Sequence, residues 1–203
     1  MMADAGARIV GVLLAAGRGA RFDPHGRRLK LLEPATRGPH RGEPLAVAAA
    51  RTLLSAVDEV LVVVAPPADA RHEQLRRLLA AEGCTSVENA RANEGQGTSI
   101  ACGVAASGPV AGWIIALADM PAIAPATVLA VAECLRGGAV TVAPAYRGQR
   151  GHPVGFAAAV RPELLALSGD TGAREVLVRH PPRLIEVDDP GVLYDVDVSE
   201  DLG

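Results

Sequence analysis

The sequence predicts an α/β fold in which a mostly parallel sheet is covered by helices on both faces. Short apolar runs alternate with amphipathic stretches along much of the chain, which is the order typical of parallel strands joined by helices. Hydrophobic residues make up 49% of the 203 residues, but aromatic residues only 2%, so the core must consist of Ala, Val and Leu. Such a core suits close packing of helices on a sheet. The length fits one domain spanning residues 1–203.

The predicted strands are short apolar runs bounded by turn residues. Ile9–Leu14 ends at a glycine, Glu59–Val64 is β-branched, and Trp113–Leu117 is stopped by an Asp-Met-Pro sequence. His152–Phe156 follows a turn rich in Arg and Gly, Tyr146–Gly151, and is expected to run antiparallel. The remaining predicted strands are Cys84–Glu88, Val140–Ala143, Leu184–Val187 and Leu193–Val198.

The predicted helices are recognised by their charge pattern and their ends. Pro44–Ala56 has a proline in its first turn, and the charged stretch Asp69–Ala81 is closed by a glycine. The remaining predicted helices are Thr98–Ala106, Pro125–Leu135, Pro162–Ala166, Gly172–His180 and a short terminal element signalled by Ser199 and Glu200.

Charge and cysteine content exclude several classes of protein. The formal net charge is −3, so no basic excess is present to bind nucleic acid, and few aromatic side chains are available for base stacking. Cys84, Cys102 and Cys134 form neither a disulfide framework nor a zinc signature. No stretch has the character of a signal peptide or reaches the length of a membrane span. We therefore expect a cytoplasmic protein without a membrane or nucleic-acid partner.

A glycine-bearing loop follows the first predicted strand directly. In open α/β sheets such a loop lies at the carboxyl edge of the strands, where anions bind, and glycines let backbone N–H groups approach phosphate oxygens. Arg21 can add a bidentate phosphate contact, and Lys30 is a second candidate cation. From these residues alone a tight turn is an equal interpretation. The candidate binding residues of the loop are Leu14, Ala15, Ala16, Gly17, Gly19 and Arg21.

Several acidic residues and one histidine are further candidates, each with a plainer interpretation. Asp119 follows a buried strand, where a carboxylate either binds a cation or caps a turn. Asp195 and Asp197 alternate with a valine and would face one side of a strand, as metal ligands or as a solvated edge. Asp170 is either a ligand-binding residue or the cap of a helix beginning near residue 172. His152 either contacts a ligand or packs in the core.

Five ordered motifs resemble those of the MobA-like nucleotidyltransferases, and among these they are most similar to the molybdenum cofactor cytidylyltransferase branch. The resemblance covers nearly the whole chain. The motifs are Leu14-Ala15-Ala16-Gly17-x-Gly19-x-Arg21 with Lys30-Leu31-Leu32, Gly95-Gln96-Gly97-Thr98-Ser99, Leu117-Ala118-Asp119-Met120-Pro121, Arg150-Gly151-His152-Pro153-Val154 with Gly169-Asp170-x-Gly172-Ala173-Arg174, and Asp195-Val196-Asp197. The resemblance implies a Rossmann-like three-layer sandwich of the nucleotide-diphospho-sugar transferase type.

The resemblance also implies a role for each motif. The glycine loop would contact the base edge and phosphates, and Lys30 would bind the triphosphate. Asp119 would hold Mg²⁺, completed by Asp197 and, less directly, Asp195. His152 would lie on the acceptor side, and Asp170 belongs to a motif of the same branch. The small residues expected beside base and ribose are Gly97, Thr98 and Ser99.

The implied reaction transfers CMP from CTP, or a nucleotide from another NTP, to a molybdopterin-type cofactor with release of pyrophosphate. The resemblance suggests cytosine because Ala16 stands where guanylyl-transferring relatives tend to have glycine. A molybdoenzyme or its chaperone would then be a partner. Three alternatives stay open: another phosphorylated acceptor, an NAD(P)H-dependent oxidoreductase acting on a nicotine-derived pigment, and a non-catalytic carrier of the cofactor.

The sequence departs from the family pattern near the proposed phosphate site. Phe22-Asp23 stands where the family usually has Met-Gly, extra residues Pro24–Arg28 precede Lys30, and a second extension covers Thr36–Glu43. Both extensions lie close to Lys30 in the chain. From the sequence alone they leave the position of that lysine open.

Overall fold

A computed structural model describes residues 8–17 and 19–202 as one mixed sheet with helices on both faces. The N-terminal stretch in which no leader was expected lies outside the described residues. Its strands are β1 (Ile9–Leu14), β2 (Glu59–Val64), β3 (Thr85–Glu88), β4 (Gly112–Leu117), β5 (Thr141–Tyr146), β6 (Gln149–Arg150), β7 (Val154–Ala157) and β8 (Arg183–Glu186). The sheet order is β3-β2-β1-β4-β7-β5-β6, and β8 pairs with β5.

The parallel strands form the half of the sheet that carries the candidate site. β1 pairs in parallel with β2 and β4, and β2 with β3. β7 is antiparallel to both β4 and β5, as expected for the His152–Phe156 segment, and β8 is parallel to β5. In the register of β1 and β4, Leu14 stands opposite Leu117, so the loops after these two strands begin side by side.

The helices cover both faces, because successive side chains of a strand point to opposite sides. The helices are α1 (Leu45–Leu54), α2 (Ala70–Ala81), α3 (Gln96–Ala106), α4 (Pro125–Arg136), α5 (Arg161–Leu165) and α6 (Arg174–Arg179). In β1, Ile9 and Leu13 belong to the core under α1, α2 and α4, whereas Val10 and Val12 belong to the core under α3, α5 and α6. Across the described residues no helix is long and apolar enough to cross a bilayer.

Two predictions from the sequence are wrong in detail. The predicted strand Leu193–Val198 does not form: Pro190–Leu193 is a 3-10 turn, and the chain from residue 194 to residue 198 has no regular structure. The buried carboxylate of Asp189 accepts the amide of Gly191 and starts this turn. The predicted turn Tyr146–Gly151 contains β6, because it closes a hairpin with Arg147 and Gly148 at positive φ.

Candidate active site

The glycine loop lies where the sequence predicted, at the carboxyl edge of β1. The amide of Ala15 donates to Val63 at 2.8 Å, and the amide of Ala118 donates to Leu14 at 3.1 Å. These bonds join the loops after β1 and β4 to the neighbouring strands. Ala15 and Ala16 are buried, whereas Gly17 is exposed, so the loop presents its backbone at Gly17.

Lys30 and Asp119 form an ion pair at the centre of the site. Lys30 begins a short 3-10 helix, Lys30–Leu32, and its Nζ lies 2.5 Å from Asp119 Oδ2 and 2.8 Å from the carbonyl oxygen of Val196. The side chains of the pair are only 11% and 24% exposed. Within the described residues the Asp119 carboxylate pairs with the Lys30 ammonium and accepts no hydrogen bond from a backbone amide. The structure therefore shows no capping bond at Asp119.

The C-terminal segment reaches the same edge of the sheet. The amide of Val196 donates to the carbonyl of Asp119 at 3.0 Å, and Asp197 forms an ion pair with Arg21. The expectation that Asp195 and Asp197 share one face of a strand is wrong, because this segment is not a strand. Asp195 is exposed and forms no ion pair among the described side chains, whereas Asp197 is half-buried. The structure thus brings Asp197 to the site through loop contacts.

Asp201 holds this segment in place, and sequence reasoning missed it. Its carboxylate accepts the amides of Asp197 at 2.7 Å and of Val198 at 2.9 Å. The Val198 bond, followed by the Asp197 bond, holds the pKa of Asp201 below its usual value. The Tyr194 hydroxyl donates to the Asp201 carbonyl at 2.6 Å. In the sequence, Asp201 is only a carboxylate in a short terminal element, and many surface turns contain such a residue without any special role.

The extension before Lys30 is a compact turn. The Asp23 carboxylate accepts the amides of His25, Arg27 and Arg28, and these bonds hold the pKa of Asp23 below its usual value, the Arg28 bond having the largest effect. The Arg28 guanidinium lies 4.9 Å from the centre of the Phe22 ring. The extension therefore leaves Lys30 in contact with Asp119.

The second extension contacts the far side of the site. Gly38 has a φ of 93°, and a Cβ there would lie 2.5 Å from the carbonyl oxygen of Pro121, two residues after Asp119. The Arg37 guanidinium lies 4.6 Å from the centre of the Tyr194 ring. The extension thus touches both the loop that carries Asp119 and the C-terminal segment.

The N-terminus of α3 forms the opposite wall of the site. Asn89, which follows β3, donates from Nδ2 to the hydroxyls of Thr98 at 3.0 Å and of Ser99 at 3.1 Å. The single proton of the Thr98 hydroxyl is shared between the carbonyl oxygens of Arg91 and Gly95, both 2.9 Å away, so this hydroxyl is used within the protein. Sequence reasoning missed Asn89, whose only signal was a polar residue directly after a strand.

Gly97 brings the chain around Asp170 close to α3. Its amide donates to the carbonyl of Gly169 at 2.9 Å, and a Cβ at Gly97 would lie 2.7 Å from the carbonyl oxygen of Ser168. The structure thus uses this glycine for backbone packing. The alternative that Asp170 caps the next helix is wrong, because α6 starts at Arg174 and its N-cap, Ala173, makes no side-chain capping bond. Asp170 lines the central cavity instead.

Three adjoining cavities open at this edge of the sheet. We call them the central cavity, of about 400 Å³, the lysine cavity, of about 60 Å³, and the side cavity, of about 190 Å³. The central and lysine cavities share Leu14, Gly17 and Asp119. The central and side cavities share Leu14, Leu117 and Gln96, the last of which the sequence did not single out.

The predicted site residues divide among these cavities. The central cavity is lined by Leu14, Ala16, Gly17, Ser99, Asp119 and Asp170 from the predicted set. The lysine cavity is lined by Leu14, Ala15, Gly17, Gly19, Lys30 and Asp119. His152 lines the side cavity, whereas Gly97 and Thr98 lie behind the wall of the central cavity. Arg21 and Asp197 form the exposed ion pair described above.

His152 lines the side cavity, near the carboxylates of Asp119 and Asp195. Burial, reinforced by the positive charge of Arg150, lowers the pKa of its imidazole, and the nearby Asp119 and Asp195 only partly oppose this. Its amide donates to the carbonyl of Val192 at 3.0 Å. Its Nδ1 is inaccessible and has no hydrogen-bond partner within the described structure. Packing in the core therefore does not fully explain this histidine, because it leaves a buried ring nitrogen without a hydrogen bond.

Two carboxylates suit a hard divalent cation at this site. Asp119 and Asp197 lie on facing segments joined by the Val196 to Asp119 backbone bond. Lys30 and Arg21 offset their negative charges. Among residues 8–17 and 19–202, no three His, Cys, Asp or Glu side chains cluster as a metal site. Magnesium is commonly held by one or two carboxylates together with substrate phosphates, and this donor set fits that arrangement.

Comparison with known proteins places the chain in a family. The model of the MobA-like NTP transferase domain matches residues 11–184. Nicotine blue oxidoreductase from Paenarthrobacter nicotinovorans is 34% identical over 206 residues, covering 96% of this chain and 94% of that protein.

Solved structures show the same likeness over nearly the whole chain. Rv0371c from Mycobacterium tuberculosis superposes with a TM-score of 0.78 at 26% identity, covering 97% of this chain and 96% of that one. Its manganese complex gives 0.75 at 27% identity, with 96% and 95% covered. A nucleotidyl transferase from Methanothermobacter gives 0.76 at 26% identity, with 96% and 94% covered. The predicted nucleotide-diphospho-sugar transferase fold is confirmed, and the chain belongs to the MobA-like NTP transferase family.

Proposed function

We propose that this protein transfers CMP from CTP to a molybdopterin-type cofactor and releases pyrophosphate. The observation that carries the proposal is the Lys30–Asp119 pair, which lies where the central cavity meets the lysine cavity. One cavity has the size and the mixed polar lining of a small-molecule site, and the other places an ammonium group beside an exposed glycine loop. A nucleoside triphosphate needs both features.

The reaction assigns a role to each wall of the site. The nucleoside lies in the central cavity, and its phosphates extend along Gly17 and Gly19 toward Lys30. A phosphate oxygen of the acceptor attacks the α-phosphorus in line, the bond from the α-phosphorus to the bridging oxygen breaks, and pyrophosphate leaves. Lys30 stabilises charge on the transferring group, and no protein nucleophile is required.

Asp119 and Asp197, assisted by Asp195, would hold Mg²⁺ at this edge of the sheet. When bound, the cation supplies charge neutralisation at the α-phosphate. The support is the backbone bond from Val196 to Asp119, which brings the segment of Asp197 to Asp119, and the manganese complex of the similar Rv0371c. The preference for cytosine is supported by Ala16, which lines the central cavity where guanylyl-transferring relatives tend to have glycine.

A pyrophosphate-release assay tests the proposal directly. The purified protein is incubated with CTP, GTP, ATP or UTP, with and without molybdopterin cofactor, in Mg²⁺ and again in excess EDTA. We expect release only with CTP, acceptor and metal together. Release with a different phosphorylated acceptor would keep the chemistry and overturn the substrate. Full activity in EDTA would remove the metal from the proposal.

A second candidate function is NAD(P)H-dependent reduction of a nicotine-derived pigment. It is favoured by the 34% identity with nicotine blue oxidoreductase over almost the full length of both chains. The same protein preparation should be mixed with NADH or NADPH and nicotine blue, and loss of the reduced cofactor should be followed. Oxidation of the cofactor without any NTP-dependent pyrophosphate release would favour this function over nucleotidyl transfer.

A further inference from the structure

The C-terminal segment that carries Asp197 is not held by a strand. It lies outside the sheet, and residues 194–198 have no regular structure. Two bonds fix Val196 at the site, since its amide donates to the Asp119 carbonyl at 3.0 Å and its carbonyl accepts from Lys30 at 2.8 Å. Neither of these bonds fixes the next residue, Asp197, whose carboxylate is proposed to bind the cation.

A carboxylate near the end of the chain fixes Asp197 directly. Oδ2 of Asp201 accepts the amides of Asp197 at 2.7 Å and of Val198 at 2.9 Å, and the amide of Asp201 donates to the Val198 carbonyl at 3.1 Å. Together these bonds close a tight turn that begins at Asp197. Hydrogen bonds to a charged acceptor are stronger than those between neutral groups. Asp201 therefore fixes the backbone from which the Asp197 carboxylate extends.

Tyr194 and Arg37 connect this turn to the second extension, Thr36–Glu43. The Tyr194 hydroxyl donates to the Asp201 carbonyl at 2.6 Å, and the Arg37 guanidinium lies 4.6 Å from the centre of the Tyr194 ring. A cation over the face of an aromatic ring is attracted by the negative charge of that face. A continuous series of contacts therefore runs from the extension to the amide of Asp197.

We infer that Arg37, Tyr194 and Asp201 are positioning residues that set the affinity of the site for a divalent cation. Asp201 acts through the amide of Asp197, and the other two act through Asp201. The inference rests on the proposed function for the role of Asp197 as a metal ligand, but cation affinity can be measured without any turnover. Groups that orient a metal ligand typically change metal affinity by about 10–100-fold when they are removed.

Binding of Mn²⁺ alone, followed by the electron paramagnetic resonance signal of the free ion, tests the role of Asp201. Asp201→Ala should weaken Mn²⁺ binding by about tenfold, because the turn then loses both carboxylate bonds. Asp201→Asn should stay within about threefold of wild type, because one amide oxygen can accept both bonds in place of Oδ2. Asp188→Ala, at an exposed position, is the control and should bind as wild type. An equal loss in Asp201→Ala and Asp201→Asn would overturn the inference, because the charge of Asp201 would then matter and not its hydrogen bonds.

The contacts of Tyr194 and Arg37 are tested one at a time. Tyr194→Phe removes only the hydroxyl and Arg37→Gln only the guanidinium, so each should weaken Mn²⁺ binding by about threefold. Arg41→Gln is the matched control, since Arg41 is exposed in the same extension and forms no ion pair or ring contact among the described side chains. Unchanged binding in both Tyr194→Phe and Arg37→Gln would overturn the inference for these two residues.

A double-mutant cycle separates positioning from general stability. If Asp201 acts through Asp197, Asp201→Ala should weaken Mn²⁺ binding by less than about twofold in the Asp197→Asn background. A loss of about tenfold in that background would overturn the inference, because a merely structural role affects both backgrounds alike. Thermal melting identifies variants that misfold, and if Asp201→Ala is one of them, Tyr194→Phe takes its place in the cycle.

The outcomes also separate this inference from the proposed function. Mn²⁺ binding that depends on Asp201 only through Asp197, without pyrophosphate release from any NTP, would keep the positioning role and reject the transferase. Pyrophosphate release with equal Mn²⁺ affinity in wild type and Asp201→Ala would keep the transferase and overturn the positioning role. Equal affinity in wild type and Asp197→Asn would remove Asp197 from the metal site and would overturn the inference as well.

Discussion

The Lys30–Asp119 ion pair gives the sharpest prediction for this site. Nζ and Oδ2 lie 2.5 Å apart, and the two side chains are 11% and 24% exposed, so the pair stands between a solvated surface bridge and a fully buried one. Surface pairs contribute roughly 0–1 kcal/mol, whereas removing one partner of a buried pair costs about 3–5 kcal/mol. For this geometry we expect a coupling free energy of about 1–2 kcal/mol between the two side chains.

The perturbation is a double-mutant cycle of Lys30→Met and Asp119→Asn. Asparagine keeps an oxygen that can accept from Lys30 and removes only the charge, so Asp119→Asn should lower the free energy of unfolding by about 1 kcal/mol. Its turnover should fall by on the order of 10²–10³, because a charge at the reacting phosphate is lost. Lys30→Met should lower the single-turnover rate more than the affinity for CTP, because charge builds on the transferring group.

Urea unfolding of wild type, both single variants and the double variant yields the coupling, and pyrophosphate release is measured on the same samples. Asp188→Asn is the matched control, because this substitution removes the same charge at an exposed position outside the central and lysine cavities. Because asparagine keeps an acceptor for Lys30, the cycle measures the contribution of charge to the pair, and a coupling below about 0.3 kcal/mol would refute that contribution. Near-normal turnover of Asp119→Asn would show that the carboxylate has no electrostatic role at the reacting phosphate.

Three further predictions concern the glycine loop, the buried histidine and a buried thiol. Gly17→Val should melt like wild type, because a Cβ at Gly17 meets nothing within 4 Å, yet should bind CTP at least tenfold more weakly in a titration, because its side chain covers exposed backbone. Burial lowers the pKa of His152 from 6.5, so as the pH falls the unfolded chain takes up the proton before the folded chain does. The urea concentration at the unfolding midpoint should therefore be lower at about pH 5.5 than at about pH 7.5, and this decrease should be larger in wild type than in His152→Gln. Burial raises the pKa of the Cys84 thiol to about 11, so alkylation of Cys84 should follow global unfolding, which peptide mapping after timed labelling can check.

The strands of the parallel half could be predicted because local pattern and burial agree there. Ile9–Leu14 has no polar side chain, Glu59–Val64 is apolar after its first residue, and both strands have the predicted ends in the structure. Predicted helix ends shifted by one or two residues, as in α3, which starts at Gln96 and not at Thr98. Asp69 was included in the second predicted helix and is its N-cap, accepting the amides of Arg71 and His72. At α2 the shift is only one residue because the capping side chain of Asp69 marks the start of the helix.

The C-terminal segment misled the same reasoning for a physical reason. Within Leu193–Val198, acidic and non-acidic residues alternate from residue 194 onward, which is the pattern of a half-buried strand. The alternation is real, but Val196 is buried in a separate small cluster with Phe22 and Leu45, not on the sheet. A period of two shows that one side is buried, and it does not distinguish a sheet from a groove between loops. The Asp189-Pro190 turn before it directs the chain away from the strands.

The site itself depends on contacts that no sequence pattern records. Lys30 meets Asp119 across 89 positions and the Val196 carbonyl across 166 positions. The motifs named the residues correctly as candidates, but their partners could be identified only in three dimensions. Asn89 and Asp201 were not recognised as candidates at all, because neither stands in a motif that indicates a role. Each holds a candidate residue in place through a hydrogen bond: Asn89 to Ser99, and Asp201 to Asp197.

The two extensions beside Lys30 help to hold the C-terminal segment at the site, although the sequence suggested that they could displace the lysine. Phe22, two residues before the first extension, packs in the cluster that buries Val196, the residue whose carbonyl accepts from Lys30. Arg37, in the second extension, stacks on Tyr194 of the segment that carries Asp197. A segment without ladder hydrogen bonds needs side-chain contacts to stay ordered, and these extensions supply them. The chain therefore departs from the family pattern at the residues that fix its unpaired C-terminal segment against Lys30 and Asp119.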